Sequence, residues 1–246
     1  MLEFLTVASE PPLGAQLDWT PVELPARAPL RGSHVMLRPV DASTDAEPLH
    51  AASHPPSGDR SIWTYLPDGP YQRPADLSRM LAWAGGSPDA IYFTVVRLPD
   101  EWPLGLASYL RITPAQGVIE IGHIWFGEPL QRTTAATEAI FLLASHVFDD
   151  LGYRRLEWKC NALNAASRRA AERFGFTFEG AFRNHQVVKG RNRDTAWYAI
   201  TDDDWPAIRA GFVAWLAPEN FDDEGLQMRP LGELIGVARG GGGPSP

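Results

Sequence analysis

Residues 118–150, VIEIGHIWFGEPLQRTTAATEAIFLLASHVFDD, change their apolar period part-way along and so decide how the chain folds. Over 118–126, β-branched and aromatic residues fit a pleated surface, and Gly122 marks a bulge or a close backbone approach. Pro129 closes the strand. From Thr133 the period lengthens to about 3.6, which puts Ala136, Ile140, Leu143 and Val147 on one face of a helix. The intervening turn, 131–137, is built of small or hydroxylated residues. A helix start fed by a strand leaves backbone N–H groups without intrahelical partners and turns the positive end of the helix dipole outward, an arrangement suited to an anion.

The rest of the chain arranges itself around that unit. Residues 31–40 predict a strand, 41–53 a helix started by Asp41 or Ser43, and 74–84 a second helix with Pro74 in its first turn and Gly85-Gly86 at its end. Between these helices, Trp63 and Tyr65 sit in a turn-rich segment, where they either wall a substrate pocket or fill the core. Residues 90–97, 104–112 and 118–126 follow one another at short spacing as an antiparallel meander. Then come a strand at 155–160, a helix capped by Asn164 and ended by Gly175, and strands at 176–188 and 193–200 joined by a turn at 189–192. Residues 201–204 cap a last helix that runs to about Leu216. The order β-α-α-β-β-β-α-β-α-β-β predicts an α+β fold, a twisted, mixed, mostly antiparallel sheet with helices on both faces. Residues 1–30, broken by Pro11, Pro12, Pro21, Pro25 and Pro29, read as an extended arm over a domain at 31–205. A C-terminal helix and extension at 206–235 and a flexible tail at 236–246 complete the expected organisation.

No apolar run is long enough to span a bilayer, and no basic segment precedes the short Leu-Phe-Leu patch near the N-terminus, so a cytoplasmic chain is expected. The single cysteine, Cys160, excludes an intramolecular disulfide, and no His/Cys cluster has zinc spacing, so no metal is expected. Net charge is −8 but uneven. Residues 151–193 hold ten basic and three acidic residues, a net of +7 that leaves −15 for the remainder. A basic block on an acidic chain suits a local anionic ligand better than a nucleic acid, because a duplex would feel the long-range repulsion of the rest. The acidic remainder, in turn, favours a cationic partner.

Several spaced elements then point to one family. Gln131, Thr134 and Ala136 fill the places of a pyrophosphate loop with the pattern Gln/Arg-x-x-Gly-x-Gly/Ala, Thr134 standing where the first Gly is usual. Further on come Asn164-Ala-Ala-Ser167, Glu172-Arg-Phe-Gly-Phe176, Glu179-Gly180 and Lys189-Gly-Arg-Asn-Arg-Asp194-Thr-Ala-Trp-Tyr198. Together these resemble the GNAT acetyltransferases, in particular the branch of the RimJ/RimL ribosomal-protein N-acetyltransferases, over roughly residues 30–205.

The resemblance implies transfer of an acetyl group from acetyl-CoA to a primary amine, on a small molecule or a protein N-terminus, in a ternary complex. The protein would be a monomer or homodimer with no nucleic-acid or membrane partner. It further implies that the backbone of Ile124, Trp125 and Phe126 pairs with the pantetheine arm. The loop Gln131, Arg132, Thr133, Thr134, Ala135, Ala136 and Thr137 would hold the pyrophosphate, with Arg132, Arg168 and Arg169 near the outer phosphates and Asn164 on the pantetheine. Glu120 falls where a carboxylate base is often found, and otherwise reads as an exposed charge on a strand face. Ser167 falls where a donor meets the departing thiolate. The RimL-type carboxylate position holds Gln186, so a base relayed through His123 or His185 stays open; both join Trp63 and Tyr65 as candidate acceptor contacts. Transfer of another acyl group such as succinyl, or a non-catalytic acyl-CoA-binding module, are the alternatives, the latter suggested by Thr134 and Gln186.

Overall fold

The computed structural model of the chain describes residues 13–240. Residues 1–12 of the expected arm and 241–246 of the expected tail lie outside them. Eight strands form one sheet in the order β1-β2-β3-β4-β5-β6-β8-β7. The first five are β1 (Leu30–Arg31), β2 (Val35–Pro39), β3 (Ile91–Arg97), β4 (Trp102–Thr113) and β5 (Val118–Phe126), each antiparallel to the one before. β6 (Arg155–Asn161) pairs with β5 in parallel, and β7 (Thr177–Val188) and β8 (Arg191–Thr201) close the far edge antiparallel. The sheet is therefore mixed and mostly antiparallel, as the pattern predicts.

Helices α1 (Ala42–Ser53) and α2 (Pro74–Gly85) precede the meander; α3 (Thr134–Ser145) and α4 (Ala165–Arg173) flank β6 in the sequence. Side-chain caps set where they start. Asp41 accepts from the Ser43 N–H, Thr133 from that of Ala136 and Asn164 from that of Ser167, each satisfying a donor the helix cannot. On α3 the predicted face, Ala136, Ile140, Leu143 and Val147, is buried. Its Glu138 is buried as well, and its carboxylate accepts three backbone N–H groups, from Ser33, His34 and Val35, fixing α3 against the β1–β2 turn. A π-helical turn (His146–Asp150) ends this helix.

Two boundaries differ from expectation. The β7–β8 turn is the two residues Lys189 and Gly190, both at positive φ, because a two-residue turn of that hand matches the twist of the strands it joins. After α5 (Trp205–Leu216), a further helix, α6 (Leu231–Ala238), packs on it where the sequence reads only as extension. Contact is so close at Gly211 that a Cβ there would come within 2.5 Å of Ile235. The arm from residue 13 to 29 lies on the domain without regular structure: Trp19 donates to the Ala115 carbonyl, and Tyr153 donates to that of Glu23.

Candidate active site

β5 and β6 stay paired for only four residues, from Val118 opposite Arg155 to Ile121 opposite Trp158. Beyond that point β5 continues along β4 to Phe126 while β6 follows β8, so the two strands part and 122–126 turn an unpaired edge toward the gap. The register against β4 also slips here. Gly122 faces Ser108 and Trp125 faces Leu106, so His123 and Ile124 together oppose Ala107. The extra residues lie one step past Gly122, and His123 takes φ 51°, in the left-handed region. Gly122 serves the other purpose its type suggests, close approach: a Cβ would come within 2.6 Å of the Leu110 side chain.

At the start of α3, the N–H groups of Thr134 and Ala135 have no partner among the described residues. Ala135 and Ala136 are buried, Thr134 is half-buried, and Gln131 and Arg132 are exposed. Gln131 donates to the Phe126 carbonyl at 2.7 Å, tying the loop to the end of β5. Across the gap, Asn164 caps α4, and the Ser167 hydroxyl accepts from the Trp158 indole at 3.0 Å, which leaves its own O–H free to donate. Arg168 is turned toward β8 and donates to Tyr198 at 3.2 Å. A splayed strand edge with free amide groups, leading to a helix start with unpartnered N–H groups and small side chains, fits the amide-rich arm and the diphosphate of coenzyme A.

The opposite side of the same sheet is built from charge. Trp158 reaches Ser167 on α4, and strand alternation turns its neighbours Glu157 and Lys159 the other way. There Glu120, 3% exposed, takes Arg111 Nη1 at 2.7 Å and Lys159 Nζ at 2.9 Å, both on Oε2. Glu120 is thus a buried member of an ion-pair cluster and not an exposed charge on a strand face. Lys159 also meets Glu157 at 2.6 Å and lies 3.9 Å from the Trp197 ring centroid. Arg155 bridges Glu157 and Glu179. Burial pushes the Glu157 carboxyl up, but Lys159 and Arg155 outweigh it and hold the group below its ordinary value.

Above the cluster opens a cavity of about 130 Å³ lined by Arg111, Lys159, His185, Gln186, Arg193, Thr195 and Trp197. The sequence reading reached His185 and Gln186 individually. Lys159 enters it only as part of the basic block, Arg193 and Trp197 only within the signature 189–198 and, for Arg193, the basic block, and Arg111 not at all.

A second cluster holds the bulge. His123 Nε2 lies 3.2 Å from Asp68 Oδ1, and its Nδ1 lies 3.2 Å from the Tyr92 hydroxyl. Tyr71 donates to Asp68 as well. Burial pushes the Asp68 carboxyl up, but the hydrogen bonds from His123 and Tyr71 outweigh it and leave it below its ordinary value; burial pushes the Tyr92 hydroxyl up to about 12. The segment carrying Asp68 is strapped across the sheet: Lys189 donates to the Trp63 carbonyl at 2.7 Å, and Tyr65 to that of Leu163 at 3.3 Å. Trp63 itself is 1% exposed and packs on Trp125 with ring centroids 5.3 Å apart, so its indole fills the core and its backbone alone faces the strap.

Residues 34–177 match the family model described as an acetyltransferase (GNAT) domain, more than half of the chain. The chain belongs to the GNAT acetyltransferase family. Among solved structures of the family, a GCN5-related N-acetyltransferase from Brucella melitensis is 46% identical, over 89% of this chain and 98% of that one, with a TM-score of 0.85. A probable GNAT-family acetyltransferase from Chromobacterium violaceum is 38% identical over 80% of this chain and 99% of that one, with a TM-score of 0.73. Of curated proteins, the putative ribosomal N-acetyltransferase YdaF of Bacillus subtilis is 27% identical over 157 residues, 64% of this chain and 78% of that protein. Acyl transfer from a coenzyme A thioester to an amine is the chemistry of a GNAT protein.

Proposed function

We propose that this GNAT protein transfers an acetyl group from acetyl-CoA to a primary amine of a small molecule or a protein N-terminus, by direct attack in a ternary complex. The observation that carries the proposal is the free edge of β5 beyond Ile121, continuous with the unpartnered N–H groups of Thr134 and Ala135. Ile124 to Phe126 would offer their backbone to the pantetheine, Gln131 to Thr137 would receive the diphosphate, and Asn164 and Arg168 would contribute polar contacts.

An amine is nucleophilic only without its extra proton, and reference pKa values of about 10.4 for Lys and 7.7–8.0 for an α-amino group require that proton to be removed near neutrality. Glu120 Oε1 is free of protein partners among the described residues while Oε2 is held by two cations, so the carboxylate is oriented with one oxygen to receive it. Because the side chain is buried, the proton reaches Oε1 through a water. The amine nitrogen then attacks the thioester carbonyl; a C–N bond forms, the C–S bond breaks, and the leaving thiolate takes up the second proton that the nitrogen sheds as it becomes an amide, giving free coenzyme A thiol. Ser167, whose O–H is free to donate, is suited to stabilise that thiolate.

Calorimetry with acetyl-CoA, joined to a thiol-release assay on a panel of amines, tests the proposal. Binding with turnover supports it. Binding without turnover on any amine would assign the protein as a non-catalytic acyl-CoA-binding module, and turnover only with a larger thioester such as succinyl-CoA would reassign the acyl group.

A further inference from the structure

The cavity over the β5–β6 divergence has a charge balance that its own residues do not complete. Arg111 and Lys159 both pair with Glu120, Lys159 also with Glu157, and Arg155 with Glu157 and Glu179. Arg193, from β8, shares the lining but forms no ion pair and no side-chain hydrogen bond among the described residues. Counting Arg111, Lys159, Arg155 and Arg193 against Glu120, Glu157 and Glu179, four cations face three anions, and the surplus charge is Arg193. Its Nε is buried without a partner, and so is the indole Nε1 of Trp197, which lines the same cavity. Burial pushes the Arg193 guanidinium down from its ordinary value. Two buried N–H donors and one uncompensated positive charge around a space of about 130 Å³ are costly unless something fills them.

We infer that the cavity is an anion subsite, and that the amine acceptor carries an oxyanion group, a carboxylate or a phosphate, bound by Arg193 and the Trp197 indole. This rests on the proposed acetyl transfer, and it assigns the acceptor class which that reading leaves open. The space holds on the order of four waters, enough for a carboxylate or a phosphate and too little for a peptide segment. A guanidinium offers the forked N–H geometry that either oxyanion matches. The −15 carried outside the basic block does not decide the acceptor, because the charges that meet it are local and of the opposite sign.

The test uses the full chain and saturating acetyl-CoA with four amines of equal length, ending in a carboxylate, a phosphate, a neutral carboxamide or a second ammonium group. The expected result is a kcat/KM about 10- to 100-fold higher for one or both anionic amines than for the carboxamide, the range of a hydrogen-bonded charge pair. The better of the two identifies the oxyanion, and its advantage should shrink as salt is raised. Arg193→Gln should collapse the ratio toward one while calorimetric binding of acetyl-CoA is retained, which separates loss of the subsite from loss of the fold. Equal rates, preference for the carboxamide or the ammonium, or no turnover of any of the four while acetyl-CoA binds would overturn the inference and leave the acyl-CoA site standing. Failure to bind acetyl-CoA would instead remove the proposed function, and the inference with it.

Discussion

The two sides of the β5–β6 divergence are made from different materials. Toward α3 and α4 the exposed chemistry is main chain: a strand edge, two unpartnered N–H groups, and the small residues Ala135 and Ala136. On the other side it is side chain: Arg111, Lys159, Arg193, Trp197 and His185, brought in from four different strands. Backbone recognition needs only correct φ/ψ and small neighbours, so one fold can bind one carrier across many sequences. Side-chain recognition can be rewritten residue by residue, and this is where the chain can differ from its relatives.

The sharpest way to break the comparison is on the carrier side. Ala136→Glu sets a carboxylate against the proposed diphosphate, and the Kd for acetyl-CoA should rise by at least about 100-fold, read by calorimetry, since like charges at short range in a half-buried site are strongly disfavoured. Unchanged binding would mean that the start of α3 is not the diphosphate site. Next in size, Glu120→Gln should lower kcat by about 100-fold, the low end of a general-base contribution, with the Kd for acetyl-CoA within about twofold. Retention of the full rate would move proton acceptance to His123 or His185.

A smaller effect separates the sides by pH. Glu157 has a folded pKa held below its ordinary value of 4.5, so the stability it contributes is complete above that value and is lost as pH falls through the folded one. The unfolding midpoint of Glu157→Gln should therefore lie below that of the unsubstituted chain at pH 7, and the gap should narrow as pH falls below 4.5. Thr134→Gly, on the carrier side, should show no such pH dependence. Its effect is the smallest: acetyl-CoA affinity unchanged or improved by less than about tenfold, since the change removes a side chain at a close approach without removing a donor. A clear loss of affinity would show that the Thr134 side chain itself contributes to binding.

The same division explains what the sequence could reveal. Local rules carry the order of elements along the chain, the caps Asp41 and Asn164, the start of α3 and the glycine Gly175, because each depends on residues within a few positions of one another. Of the two readings open for Gly122, close approach is the one the structure bears out, while the strand shifts at His123, which the Asp68 and Tyr92 contacts hold in place. Helix α6 was missed since Gly232 and Gly236 lower its propensity and only packing on α5 compensates. The cavity has no local signature: residues 111, 159, 185 and 193 become neighbours through pairing, and the trace of Lys159 and Arg193 in the sequence is an excess of positive charge over 151–193, while Arg111 has none.

The four-residue parallel pairing of β5 with β6 has a thermodynamic consequence. Among the described residues it is the only strand pairing between the sheet's two halves, β1 to β5 and β6 to β8. A ligand lying along the open part of that seam acts as a temporary strand, present in the folded state and absent from the unfolded one. Binding and folding are then linked: acetyl-CoA at 100 times its Kd should add about 2.7 kcal/mol to the unfolding free energy. The thermal midpoint should climb with the logarithm of ligand concentration, so melting curves taken over a range of acetyl-CoA concentrations report its affinity for the folded chain.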